Sequence, residues 1–137
     1  MYTLTILTPE KVVFEEPVYS VNVPGADGYF EILVDHAPLT ALLQSGKVTI
    51  IDKDEKKLHF AIASGFFEVS HNKANIIADA IEPVEEIDLG RAKHAFERAQ
   101  ARLEHSQEHV DIARAKRALK RAENRINLYQ EFHALRK

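Results

Sequence analysis

The chain has 137 residues, 45% hydrophobic and 28% charged, with a formal net charge of −3, a balance that excludes a disordered chain and allows one cored domain, or a compact domain plus an appendage. It contains no cysteine, which rules out disulfides, thiolate metal sites and a cysteine nucleophile and fits a reducing compartment. The N-terminus, Met1-Tyr2-Thr3-Leu4-Thr5, lacks the basic start and apolar run of a secretory signal, and no stretch approaches the roughly 20 apolar residues of a membrane span.

The first part of the chain is written in strands. Tyr2 to Thr8 alternates, with Leu4 and Ile6 on one side and Thr3, Thr5 and Leu7 on the other, and Pro9-Glu10 turns the chain into Val12-Val13-Phe14. Val18 to Val23 alternates again, placing Val18, Ser20 and Asn22 opposite Tyr19, Val21 and Val23, and Pro24-Gly25-Ala26-Asp27-Gly28 supplies turn residues. Further strands are predicted at Tyr29 to Val34, Leu39 to Leu43, Lys47 to Ile51, Leu58 to Ala63, Phe66 to Ser70 and Asn75 to Ala80. Turns separate them at Asp52-Lys53-Asp54-Glu55-Lys56, Ser64-Gly65 and His71-Asn72-Lys73. Short strands with turn signals at this spacing predict an all-β sandwich of about ten antiparallel strands.

Charge changes sign at Pro83. Met1 to Pro83 carries six Lys and no Arg against twelve carboxylates, a balance of −6, whereas Val84 to Lys137 carries twelve Lys plus Arg against nine carboxylates, a balance of +3. This step predicts a domain boundary there, dividing the chain into residues 1–83 and 84–137.

Beyond Ile87 the apolar period becomes helical. Leu89, Ala92, Ala95, Phe96, Ala99 and Leu103 recur at three- and four-residue steps after Asp88, which is placed to cap the helix, and predict a helix over about Leu89 to Glu104. The polar stretch His105-Ser106-Gln107-Glu108-His109 interrupts the stripe, and Ile112, Ala115, Leu119, Ala122, Ile126 and Tyr129 resume it as a heptad-like seam over about Asp111 to His133. The two helices form an antiparallel hairpin. Each alanine of its seam buries about one methyl group, so the pair is conditionally stable and needs docking, a ligand or a partner.

Every arginine lies in this second part. Arg117, Arg121 and Arg125 project from one face at i, i+4 and i+8, and Arg91 and Arg98 lie seven residues apart on the first helix, so closing the hairpin brings cations together. Guanidinium forks match phosphate oxygens and stay charged at any relevant pH, which makes a phosphate clamp the functional reading and a solvated helix face the bland one. No Gly-rich phosphate loop accompanies it. His105 and His109, at i, i+4, lack the Glu of the zinc-protease pattern, and His36 beside Asp35 has no nucleophile partner, so neither metal catalysis nor an active site is expected.

Four stretches together are diagnostic: Thr8-Pro9-Glu10, Pro24-Gly25-Ala26-Asp27-Gly28 with Ile32-Leu33, His36-Ala37-Pro38-Leu39, and Gly65-Phe66-Phe67-Glu68-Val69. With the order of a strand-rich domain and then two helices, the whole chain resembles the epsilon subunit of bacterial F-type ATP synthases. It departs from that family at Glu31-Ile32-Leu33-Val34, where Gly-Ile-Leu-Pro is frequent, so a different turn is expected after that strand.

The resemblance implies a non-catalytic rotor component of a proton-translocating machine. Its sandwich bridges the gamma subunit and the c-ring of the central stalk, on the cytoplasmic face of the bacterial plasma membrane, touching the membrane only through the c-ring. Its hairpin either folds on the sandwich or extends along gamma, where basic side chains meet acidic residues of the alpha and beta subunits and block ATP hydrolysis. An Ile/Leu-Asp-x-x-Arg-Ala motif, matched at Ile87, Asp88, Arg91 and Ala92, implies ATP binding by the folded hairpin. Adenosine contacts are implied near Glu82, Ile87 and Asp88, and phosphate contacts from Arg91, Arg98, Arg121 and Arg125. ATP is then a regulatory ligand, which Mg²⁺ can accompany, and not a substrate. A nucleic-acid-binding module using the basic helix is the alternative; the acidic first part and a balance of only +3 in the second argue against it.

Overall fold

The computed structural model describes residues 1–105 and 108–134, so Ser106 and Gln107 of the expected inter-helix turn lie outside the described residues. The chain divides into two compact units, Met1–Pro83 and Val84–Lys137.

The first unit is all-β, as its alternation requires. Its strands are β1 (Tyr2–Leu7), β2 (Val12–Gly25), β3 (Gly28–Ile32), β4 (Leu39–Leu43), β5 (Gly46–Asp52), β6 (Lys57–Ile62), β7 (Gly65–Ser70), β8 (Lys73–Ala78) and β9 (Ile81–Pro83). They run in the hydrogen-bonded order β1-β8-β7-β4-β2-β5-β6-β9, with β3 added to β2 and β1 returning to pair β2 as well. The sandwich therefore has nine strands where about ten were expected, and β1 pairs β8 in parallel while the other pairs are antiparallel. Its interior is a continuous cluster in which Leu4, Ile6, Val21, Val23, Ile32, Val48, Ile50, Ile62, Phe67 and Ile76 are wholly buried.

β2 joins the two layers. It pairs β1 from Val12 to Val18, then β5 from Val18 and β3 from Val21 onward. The sequence suggests two strands here because Glu15-Glu16-Pro17 interrupts the apolar pattern, but Pro17 precedes the β5 pairing, so the missing amide costs that ladder nothing. A register shift between Val18 and Ser20 also breaks the expected alternation. Val18, Ser20, Val21 and Val23 are all buried, because a bulge turns the strand by one residue.

Tight turns hold the register. His71 and Asn72 both adopt positive φ (52° and 60°) at the tip between β7 and β8, a geometry that suits the right-handed strand twist. Asp52 Oδ1 accepts the amides of Asp54 and Lys56, each at 2.9 Å, and closes the β5–β6 loop. After β3, Leu33 and Val34 are exposed and Asp35 enters the left-handed region with φ 63°. That turn is locked from another loop: the Asp35 amide donates to Asn72 Oδ1 at 2.7 Å and Asn72 Nδ2 donates to Asp35 Oδ1 at 2.9 Å. Gly65 is required where β7 meets β8, since a Cβ there would lie 2.5 Å from the Ile77 carbonyl oxygen.

The second unit begins with a 3₁₀ turn (Val84–Glu86) and continues as α1 (Leu89–His105) and α2 (His109–Ala134). The helices pack along one another on small residues. Ala92, Ala99, Ala115 and Ala122 are buried with Leu128, whereas Leu89, Phe96, Leu103, Ile112, Leu119, Ile126 and Tyr129 are only half-buried. Four buried methyl groups contribute about 3 kcal/mol at about 0.8 kcal/mol each, a thin margin against the entropy of ordering two helices.

Candidate functional site

The alanine seam that weakens the hairpin also shapes it. Small side chains leave the two helix backbones close and their flanks hollow, and long cationic side chains stand on either side. Ala95, Ala99, Ala118 and Ala122 with Arg98, Arg102, Arg121 and Arg125 line an open groove of about 260 Å³ between α1 and α2.

Three of the arginines singled out in the sequence, Arg98, Arg121 and Arg125, therefore converge. Arg91 and Arg117 are exposed and are not among the groove's lining residues. The fourth cation is instead Arg102, which sequence reasoning passed over. Its signal was present: Arg102 follows Arg98 at i+4 and shares its helix face. Among the described residues none forms an ion pair with Arg98, Arg102 or Arg121. Gathering Arg98, Arg102 and Arg121 about one groove, with no ion-pair partner among the described residues, costs Coulomb energy, which an anion there would reverse.

The motif residues surround the start of α1. Asp88 caps the helix: its Oδ1 accepts the Arg91 amide at 3.0 Å, and its carbonyl accepts the Ala92 amide at 3.0 Å. Ile87, 5% exposed, and Ala92, 0% exposed, are buried, so Asp88 and Arg91 are the members of the motif that face solvent. Arg91 lies about 10 Å along the helix axis from Arg98 at 1.5 Å per residue. Glu82 belongs to the first unit, where it pairs with Ala61 across β6 and β9. Among the described residues no group of three or more His, Cys, Asp or Glu side chains is placed to hold a metal ion.

A second surface belongs to the sandwich. Cross-strand partners share a face, and the register links Leu42 to Phe66, Phe66 to Ile77, Ile77 to Leu7 and Leu7 to Val12, an apolar row across five strands. Leu42 is 66%, Ile77 47% and Val12 54% exposed. Leu7 and Phe66 between them are half-buried, and a partly exposed apolar row of this kind is a candidate interaction surface.

Two family models match the chain: the ATP synthase delta/epsilon chain beta-sandwich domain over residues 1–84 and the delta/epsilon chain long alpha-helix domain over residues 85–130. Similar curated proteins include the ATP synthase epsilon chain of Protochlamydia amoebophila, 67% identical over 104 residues, covering 76% of this chain and 71% of that one. The epsilon chain of Salinibacter ruber is 38% identical over 110 residues, covering 74% of each. Among solved structures, a chain of the Euglena gracilis mitochondrial ATP synthase aligns with a TM-score of 0.75 at 24% identity, over 88% of this chain and 76% of that one. A chain of the Tetrahymena thermophila mitochondrial ATP synthase aligns with a TM-score of 0.59 at 17% identity, over 94% and 93%. At these identities the solved structures show a shared fold.

Proposed function

The chain belongs to the ATP synthase delta/epsilon family, and from that membership we propose that it is a non-catalytic central-stalk subunit of a proton-translocating F-type ATP synthase, whose hairpin restrains ATP hydrolysis and binds ATP when closed. The sandwich is the docking module. Its partly exposed Leu42–Phe66–Ile77–Leu7–Val12 row is suited to burial against a rotor partner, the gamma subunit or the c-ring. No helix among the described residues is long and apolar enough to cross a membrane, and in this reading the chain meets the membrane through the c-ring.

The observation that carries the regulatory reading is the four-arginine groove of the second unit. A polyphosphate there bridges α1 and α2, replacing repulsion across the seam with charge-assisted hydrogen bonds on both helices. Arg98, Arg121 and Arg125 in the groove hold phosphates together with the exposed Arg91, and the exposed Asp88 lies at the adenosine end. A magnesium ion would arrive on the phosphate oxygens, its usual ligands. Because the groove exists only when the helices lie together, ATP stabilises the closed hairpin by RT ln(1 + [ATP]/Kd), about 2.7 kcal/mol at a hundredfold excess over Kd. Opening the hairpin frees a helix bearing Arg114, Arg117, Arg121 and Arg125 for acidic surfaces of the alpha and beta subunits.

Calorimetric melting of the whole chain tests this. Millimolar ATP should raise the thermal midpoint, and Arg121→Ala should remove most of the rise. Absence of any rise overturns the nucleotide reading while leaving the docking role of the sandwich standing.

A further inference from the structure

We propose that Arg102 is a specificity-determining residue, the side chain through which the closed hairpin distinguishes a nucleoside triphosphate from a diphosphate; this rests on the nucleotide reading above. The groove's volume of about 260 Å³ lies below the roughly 300–1,000 Å³ of pockets that enclose a small organic ligand. It is therefore sized for a phosphate chain and not for a whole nucleotide.

Within the groove the four cations are spread along its length. Arg98 lies nearer the start of α1, and Arg102 stands one turn further on the same face, about 6 Å more distant from Asp88. A nucleotide whose adenosine end lies near Asp88 reaches Arg91 and Arg98 first and Arg102 last. Each added phosphoryl group contributes about one negative charge near neutral pH and further acceptor oxygens. The terminal phosphate is the part of ATP that ADP lacks, and Arg102 is the cation at that end. No described residue forms an ion pair with Arg102, and its side chain is exposed along the groove wall. Its guanidinium is available to the anion without breaking a contact, and removing it takes no packing from the seam.

Titration calorimetry of the whole chain with ATP and with ADP, for the unaltered protein, Arg102→Gln and Arg102→Lys, tests the assignment. Gln retains helix propensity and removes the charge, and an undiminished helical circular dichroism signal without nucleotide establishes that the helices still form. Loss of one charge-assisted contact should weaken ATP binding about tenfold and ADP binding less than about twofold, so the ATP preference collapses. Arg102→Lys, which keeps the charge and loses the fork, should recover part of that preference. Equal loss for the two nucleotides, or an undiminished ATP affinity in Arg102→Gln, overturns the role of Arg102 alone. Failure of the unaltered chain to bind ATP overturns the nucleotide reading and this assignment with it.

Discussion

Asp88 Oδ1 accepts the Arg91 amide at 3.0 Å, so two residues of the Ile87-Asp88-x-x-Arg91-Ala92 motif are joined before any ligand arrives. The bond satisfies one of the free amides at the start of α1. Replacing Asp88 with Ala should cost about 1 kcal/mol of hairpin stability in nucleotide-free protein, whereas Asn, an equally good cap, should cost little. Urea titration followed by helical circular dichroism reads the difference. Equal stability of all three proteins would show that the cap contributes nothing.

Tyr2 carries a pH dependence in the sandwich. Its hydroxyl donates to the Ile32 carbonyl at 2.6 Å, and burial, with the nearby Glu31 carboxylate, raises its pKa above the ordinary value of 10.0. The folded state therefore holds the phenolic proton more tightly than the unfolded chain does. The resulting stability is fully present below pH 10 and is lost as pH rises towards the folded pKa. Tyr2→Phe should lower stability by about 1 kcal/mol at neutral pH and make the decline above about pH 10 shallower than in the unaltered protein. Parallel alkaline declines in the two proteins would contradict the assignment.

The apolar row on the sandwich separates assembly from folding. Leu42 and Ile77 are 66% and 47% exposed, so Leu42→Lys and Ile77→Lys should shift the stability of the isolated chain by less than about 0.5 kcal/mol. The same substitutions should weaken incorporation into the reconstituted synthase at least about tenfold, because a buried lysine would lose its hydration without gaining a partner. Wild-type incorporation of the double variant would place the docking face elsewhere.

Much of this was legible from the residues, and what was missed has physical causes. Alternation located the strands from β1 to β8 because their inward positions are apolar and their turns carry Gly, Asn, Asp and Pro. β9 was missed because Ile81-Glu82-Pro83 is three residues long and ends in the proline that marks the unit boundary. The parallel β1–β8 pair has the same period as an antiparallel one and leaves no mark on the sequence. In α2 the seam was carried to Tyr129, but Leu128 is the buried residue, and Tyr129 stacks on His133 with ring centroids 3.7 Å apart. Leu128 lies about 120° round the helix from the buried Ala122, more than the roughly 20° per heptad of seam drift can supply, so it is buried on a second face of α2 that the heptad reading did not include. Arg102 was accessible to the spacing argument that found Arg98. Which arginines share a groove depends on the offset between the helices, and that is set by which alanines meet.

The central claim is that a triphosphate selects the closed hairpin, and the distance between its helices tests it directly. The chain has no cysteine, so Gln100→Cys with Lys120→Cys, both exposed positions, creates a unique pair for spin labels in an otherwise unaltered protein. Pulsed dipolar spectroscopy should show a distance distribution that gains in its short component as ATP is added, with ADP less effective and with no response in Arg121→Ala. A distribution identical with and without saturating ATP would contradict the account.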